Sequence, residues 1–281
     1  MSSGLLQPRM MFDVTGHGDT AIFLLHGIGG NRHTWPALID ALSQAGYCAV
    51  ACDLPGYGAS AAVAPYTLEQ VALSCLQCMD TVGARRAVLL GHSMGGMVAQ
   101  TVAALAPDSI DGLVLYATSA AFGRPDGNWQ RDFVRQRTAP LDAGRSMSEL
   151  AQDLVARMVG PDASAQSITA AVAAMGAVPP ETYRAALGAL VAFDRRADLP
   201  NIAVPTLALA AENDGNAPPA VLQKMAQRIP GAEYVCLPRA GHLAHLETPA
   251  AFNAAALAFL SRHFPAAPAT SPMPPRPSRF L

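Results

Sequence analysis

The chain alternates between short apolar runs and longer segments in which apolar residues recur with helical spacing. The runs are continuous rather than alternating with polar residues, which is typical of strands buried on both faces of a parallel sheet. Several runs end in glycine-rich turns. The apolar runs predict strands at residues 21–25, 47–52, 87–90, 113–116, 206–210 and 234–237.

The segments between these runs predict helices that cover the sheet. Thr67 is a plausible N-cap, Pro218 and Pro219 suit a helix start, and Pro107 suits a helix end. The predicted helices span residues 35–45, 68–82, 94–106, 220–228 and 250–262. Alternation of strands and helices predicts an α/β fold with a mostly parallel central sheet flanked by helices.

One stretch, residues 121–198, breaks this alternation because it holds helical patterns but no convincing strand. We predict that it is a helical cap inserted into a core domain formed by residues 1–120 and 199–264. Residues 265–281 are rich in Pro and Ala, which predicts a disordered tail. The cap is also rich in arginine, at positions Arg124, Arg131, Arg135, Arg137, Arg145, Arg157, Arg184, Arg195 and Arg196.

Composition narrows the class of protein. The 281 residues are 51% hydrophobic and 14% charged, which excludes disorder over most of the chain. A net charge of −2 argues against a broad basic face for nucleic acid, and no apolar run reaches the length of a membrane span. The first residues lack the pattern of a secretory signal. We therefore expect a cytoplasmic protein, monomeric or homodimeric, without nucleic-acid or membrane partners.

The sharpest chemical signal is the segment GHSMGG at residues 91–96, which fits the pattern G-x-S-x-G. It follows a predicted strand and precedes a predicted helix. A serine in such a tight turn takes a strained backbone conformation that exposes its Oγ, and the flanking glycines avoid clashes. This context makes Ser93 the candidate nucleophile. The alternative is a glycine-rich connection without a chemical role.

A serine nucleophile needs a general base, and the base needs an acid that orients it. His242 follows the last predicted strand, so it lies at the same carboxyl edge of the sheet as Ser93. The alternative base is His245. Asp214, which follows another predicted strand, is the candidate acid, and Glu212 is its alternative.

The segment HGIGG at residues 26–30 is a candidate oxyanion loop, because its glycines let the backbone approach a ligand closely. The backbone N–H groups of Ile28 and of Met94, the residue after Ser93, are the candidate donors. Gly27 is a candidate substrate contact. A phosphate-binding loop is the alternative, but the segment lacks both the G-K-[ST] and the G-x-G-x-x-G patterns.

Five segments resemble, in order, the motifs of the α/β-hydrolase superfamily. They are HGIGG at 26–30, DLPGYGAS at 53–60, GHSMGG at 91–96, the acid segment 212–219 and the base segment 241–249. The resemblance extends from residue 26 to about residue 264, interrupted by the cap. It implies an α/β-hydrolase fold and a triad in which Ser93 attacks, His242 transfers protons and Asp214 orients His242. It also implies that no metal or organic cofactor takes part.

Within the superfamily, the segment SMGGMVAQ at residues 93–100 is similar to that of 3-oxoadipate enol-lactonases and small bacterial esterases. This similarity implies cleavage of a small ester or lactone, for example in aromatic catabolism. Carbon–carbon bond hydrolases share the architecture, but many of them have Trp after the catalytic His, where this chain has Leu243. Acyltransferases and cofactor-free perhydrolases use the same triad and remain alternatives.

We expect the cap to determine which substrate the protein accepts. Trp129 and Phe133 are candidate substrate contacts, and their alternative role is to form the core of the cap. The cap arginines could pair with a substrate carboxylate. Their alternative role is a solvated surface.

Overall fold

The computed structural model describes residues 10–122 and 128–266, and within them the chain forms one seven-stranded sheet. Its strands are β1 (Phe12–Thr15), β2 (Ala21–Leu25), β3 (Cys48–Cys52), β4 (Ala87–His92), β5 (Ile110–Tyr116), β6 (Thr206–Ala211) and β7 (Glu233–Leu237). The order across the sheet is β1-β3-β2-β4-β5-β6-β7. Only β1 is antiparallel to its neighbour, so the predicted mostly parallel sheet is confirmed.

The edge strand β1 was not predicted. It pairs antiparallel with β3, and three of its four residues are exposed. It therefore lacks the continuous apolar run that reveals strands buried on both faces.

Helices flank the sheet on both faces. The helices of the described residues are α1 (Pro36–Gln44), α2 (Leu68–Val82), α3 (Met94–Leu105), α4 (Asn128–Asp142), α5 (Met147–Val155), α6 (Ala165–Gly176), α7 (Pro180–Val191), α8 (Pro219–Ala226), α9 (Ala244–Glu247) and α10 (Pro249–His263). Successive side chains of a strand point to opposite faces. In β2, Phe23 and Leu25 accordingly pack into one apolar cluster, whereas Ile22 and Leu24 pack into another. The sheet thus separates two cores.

In the described residues between β5 and β6 there are four helices, α4 to α7, all within the segment predicted as a cap. The two ends of this segment meet: Phe122 N–H donates to the Phe193 carbonyl at 3.0 Å, and Arg195 N–H donates to the Ala120 carbonyl at 2.7 Å. The division into a core and a cap with the stated bounds stays a prediction. Arg124 and, apart from residues 265 and 266, the predicted tail lie outside the described residues.

Across residues 10–122 and 128–266, no helix combines the length and apolar character that crossing a membrane requires.

Candidate active site

Ser93 lies between the end of β4 and the start of α3, at the carboxyl edge of the sheet. Its backbone has a φ of 52° and a ψ of −114°, a conformation that costs a non-glycine residue energy. Hydrogen bonds hold it there: Ser93 N–H donates to the Tyr116 carbonyl at 2.9 Å, and the Thr118 hydroxyl donates to the Ser93 carbonyl at 2.7 Å. The predicted strained strand-to-helix turn is therefore present.

Gly95 is required by close packing rather than by its own dihedral angles. A Cβ atom at this position would overlap the backbone carbonyl of Leu25, at the end of β2. Only glycine lets α3 begin so close to the neighbouring strand. This approach brings the turn at Ser93 next to the loop that follows β2.

His242 and Asp214 are joined by a buried hydrogen bond of 2.7 Å between His242 Nδ1 and Asp214 Oδ2. The other carboxylate oxygen, Oδ1, accepts from the N–H groups of Asn216 and Ala217 at 2.8 and 3.0 Å. Burial would raise the pKa of Asp214, but the charge and hydrogen bond of His242 and these two N–H groups outweigh it and lower that pKa. An ionised Asp214 only accepts, so Nδ1 of His242 carries a proton, and in the neutral form of this ring the free lone pair is on Nε2.

The two alternative residues have other contacts. Glu212 accepts a hydrogen bond from Arg239 N–H at 2.8 Å. His245 is buried on α9, and its Nδ1 lies 3.4 Å from the Tyr116 hydroxyl. Burial, together with the nearby His242, lowers the pKa of His245 to about 3. The structure thus brings Asp214, rather than Glu212, to His242.

The backbone of His242 is held from both sides. Its carbonyl accepts hydrogen bonds from the Tyr116 hydroxyl at 2.8 Å and from His92 Nε2 at 2.9 Å. Its N–H donates to the carbonyl of Met158, between α5 and α6, at 2.7 Å. Burial and the neighbouring His242 and His245 lower the pKa of His92 well below its usual value, so its ring is neutral. No local pattern in the sequence indicated these contacts.

The loop after β2 is fixed by a second buried histidine, His26. Leu54 N–H donates to its Nε2 at 3.0 Å, so its Nδ1 carries the proton and donates to the Gly27 carbonyl at 2.7 Å. Burial lowers the pKa of His26 to about 4, although the bond to Gly27 and the charge of Asp53 oppose this. A neutral imidazole with a single tautomer therefore sets the orientation of the loop.

The predicted oxyanion loop lies against the predicted nucleophile. A Cβ atom built on Gly27 would lie 3.1 Å from Cβ of Ser93. Ile28 borders the same cavity as Ser93. Met94 is buried at the first position of α3, where a backbone N–H has no acceptor within the helix.

Two cavities meet at Ser93. We call them the large compartment, of about 410 Å³, and the small compartment, of about 30 Å³. Both are bordered by Ile28, Ser93, Met158, Met175 and His242. The volume of the large compartment is typical of sites for small molecules.

The predicted cap aromatics border the large compartment. Trp129 is 54% exposed, and its ring centroid lies 5.5 Å from that of Phe133. Phe122 joins them, with its ring centroid 4.9 Å from that of Phe133. The three rings line the large compartment together, and Phe122 and Phe133 also pack against the buried apolar cluster.

Comparison with known proteins agrees with this architecture. Residues 20–249 match the family described as the alpha/beta hydrolase fold. A relative from Variovorax paradoxus, whose name describes a carbamate hydrolase, RutD, is 33% identical over 89% of this chain and 96% of its own length.

Two solved structures are similar over most of their length. A thermophilic esterase from Thermogutta terrifontis has a TM-score of 0.82 and is 28% identical, covering 90% of this chain and 94% of its own. The enol-lactonase from Burkholderia xenovorans has a TM-score of 0.81 and is also 28% identical, covering 90% of this chain and 96% of its own. Because the family match spans most of the sequence and the sheet has the corresponding topology, this chain belongs to the α/β-hydrolase fold family.

Proposed function

We propose that this protein is a serine hydrolase that cleaves a small carboxylic ester or lactone through an acyl-enzyme on Ser93. One observation carries the proposal. Ser93, in its strained turn, borders the same cavity as His242, whose ring is held by the buried carboxylate of Asp214. The similarity to an esterase and an enol-lactonase supports the choice of bond.

In the first step, Ser93 Oγ attacks the carbonyl carbon of the ester while Nε2 of His242 takes its proton. Asp214 accepts the Nδ1 hydrogen bond, which keeps the required tautomer and stabilises the imidazolium that forms. The carbonyl oxygen becomes negative, and the N–H groups of Ile28 and Met94 donate to it. His242 then gives the proton to the leaving oxygen, and the alcohol departs.

In the second step, a water molecule attacks the acyl group that remains on Ser93. His242 accepts one proton of this water and returns it to Ser93 Oγ as the carboxylic acid is released. Over the two steps, one ester molecule and one water molecule are converted to one carboxylic acid and one alcohol. For a lactone, the ring opens, and the acid group and the alcohol group belong to the same product molecule.

A panel of esters tests this proposal. It pairs neutral p-nitrophenyl esters with esters of dicarboxylic acids and an enol-lactone. We expect hydrolysis of at least one member, and for p-nitrophenyl esters whose acyl-enzyme is hydrolysed slowly we expect an initial burst of p-nitrophenol equal to the enzyme concentration. Absence of turnover on every member would overturn the proposal.

Acyl transfer, perhydrolysis and carbon–carbon bond hydrolysis are the alternatives on this fold. Acyl transfer and perhydrolysis share the acyl-enzyme, and an added alcohol or hydrogen peroxide acceptor would then divert product away from the free acid. Many carbon–carbon bond hydrolases have Trp directly after the catalytic His, whereas this chain has Leu243 there. We therefore favour ester cleavage over carbon–carbon cleavage.

Among the cap arginines that the structure describes, Arg137 is the one that borders the large compartment. Its guanidinium carbon lies 5.0 Å from the centre of the Phe133 ring. Burial raises the pKa of the adjacent Tyr183, and the nearness of Arg137 partly offsets this. Others pair with carboxylates at the surface, namely Arg135, Arg145, Arg184, Arg195 and Arg196. We propose that Arg137 pairs with a carboxylate of the substrate.

Arg137→Gln is expected to lower kcat/KM for a half-ester of a dicarboxylic acid by about 10- to 100-fold, because a charge-assisted hydrogen bond is lost. The neutral ester of the same length should change by less than about threefold. Initial rates on both esters measure the difference. Arg135→Gln is the control, since Arg135 is 76% exposed and paired with Asp132. Equal losses on both esters would assign Arg137 a purely structural role.

A further inference from the structure

The residues that line the small compartment restrict which chemical groups can enter it. Its walls are mainly apolar and include Val155, Ala171, Ala174 and Leu246. His245 also borders it, but burial lowers the pKa of this side chain to about 3, so it carries no charge at neutral pH. A cavity of this kind favours an uncharged, apolar group.

Its volume restricts the size of that group. A water molecule needs about 10–15 Å³ of such space, and the small compartment offers about 30 Å³. This is room for a methyl or ethyl group and not for a longer chain. The large compartment has more than ten times the volume, and it also holds Arg137.

Met175 forms part of the wall that limits the small compartment. It lies near the end of α6, is only 3% exposed, and borders both compartments. Its side chain packs directly on Gly29 of the oxyanion loop, where a Cβ atom would overlap the Met175 methyl carbon. Truncation of this side chain would therefore enlarge the space beside Ser93 without touching the predicted triad.

We propose that the enzyme selects esters in which one half is apolar and no larger than ethyl, while the other half is long enough to fill the large compartment. Met175 sets this limit as a specificity-determining residue. The inference rests on the proposed function and adds the shape of its substrate.

Three esters test it without any assumption about which half is the acyl group. Methyl butanoate and butyl acetate each have one short half, whereas butyl butanoate has two long halves. We expect the wild type to prefer one of the first two over butyl butanoate by at least about 10-fold in kcat/KM, the discrimination that one or more excess methylenes produce. Met175→Ala should raise kcat/KM for butyl butanoate by about 10-fold.

Two further variants test the same size limit with these three esters. Leu190→Ala, which borders only the large compartment, should leave the preference unchanged. Ala174→Leu fills the small compartment from a half-buried position, and it should lower kcat/KM for the preferred ester. Wild-type turnover of butyl butanoate as fast as of the preferred ester, or an unchanged ranking in Met175→Ala and Ala174→Leu, would overturn the inference. No hydrolysis of any of the three, together with no turnover on the wider panel, would instead overturn the proposed function.

Glu247 is a buried carboxylate at the end of α9 that takes no part in the proposed mechanism. Its Oε2 accepts hydrogen bonds from the N–H groups of Gly160 and Gly241 at 2.6 and 2.9 Å. Its Oε1 accepts from Leu243 N–H at 2.8 Å. Two of these three donors are the residues on either side of His242.

The third donor, Gly160, belongs to the connection between α5 and α6, which also supplies the Met158 carbonyl that accepts from His242 N–H. A Cβ atom on Gly160 would lie 2.6 Å from the Arg239 carbonyl, so this connection is packed against the loop of His242 at backbone distance. Residues 158–160 are therefore tied to the loop of His242 by hydrogen bonds and by close backbone packing.

We infer that Glu247 is a positioning residue, which fixes His242 through the N–H groups on both sides of it and ties that loop to residues 158–160. Glu247→Gln replaces one acceptor oxygen by a donor, so at least one of the three bonds is lost. Displacement of a general base by about 1 Å can cost on the order of 100-fold. We expect kcat per active site to fall about 10- to 100-fold with KM unchanged.

The active sites are counted by titration with a phosphonate that labels the serine, so loss of folded protein does not lower the measured kcat. Glu233→Gln is the control, because Glu233 is a partly exposed carboxylate paired with Arg262 and His263. Glu247→Asp, which keeps the charge but shortens the reach, should fall between the wild type and Glu247→Gln and replaces it if the latter does not fold. An unchanged kcat per titrated site in the folded variants would overturn the inference.

Discussion

Replacing Ser93 by alanine is expected to lower kcat by about 10⁴-fold or more on every ester that the wild type hydrolyses. The change removes the proposed nucleophile and leaves the predicted oxyanion loop and the two compartments in place. The strained φ of 52° is no harder for alanine than for serine, so the fold should be kept. Initial rates on the best substrate of the panel, with the thermal unfolding midpoint measured in parallel, check this result.

The matched control is Ser119→Ala. Ser119 also borders the large compartment, but its hydroxyl donates to the Ala121 carbonyl. We expect its kcat to stay within about threefold of the wild type. The same comparison tests a different class of function, a ligand-binding protein that has lost turnover. That hypothesis predicts no product from the wild type and equal ligand affinity in Ser93→Ala.

Strands buried on both faces were predictable because their patterns are local. In β2 all five residues are buried, and the apolar run in the sequence has the same bounds. The edge strand β1 was missed because its stability comes from pairing with β3 rather than from its own apolar residues. β4 extends two residues past its predicted end, through Gly91 and His92, because these residues pair with β5.

In the candidate site, too, features with a local sequence pattern were predictable and long-range contacts were not. The spacing of glycines around Ser93 and the positions of Asp214 and His242 after strands are local signals. The contact between Glu247 and Gly160 joins residues 87 positions apart, and no local pattern encodes it. Which described cap arginine borders the large compartment depends on how α4 packs against α7, so Arg137 could be singled out only from the structure.

Asp214→Asn is expected to lower kcat by about 10⁴-fold, the second largest effect that we predict. In the wild type, Oδ1 accepts from two backbone N–H groups and Oδ2 accepts from Nδ1 of His242. The asparagine oxygen should keep the two N–H groups, which turns its NH₂ group toward His242. That NH₂ donates to Nδ1, so the proton of His242 moves to Nε2, where the base needs a lone pair.

Because the loop keeps both backbone hydrogen bonds, the unfolding midpoint and KM should change little, and the loss can be assigned to the tautomer of His242. Asp198→Asn is the control: Asp198 is a partly exposed carboxylate paired with Arg195, and its loss should leave kcat unchanged. Near-wild-type kcat in Asp214→Asn would show that this bond does not set the tautomer. The base would then have to be oriented by its backbone contacts alone, through Tyr116, His92 and Met158.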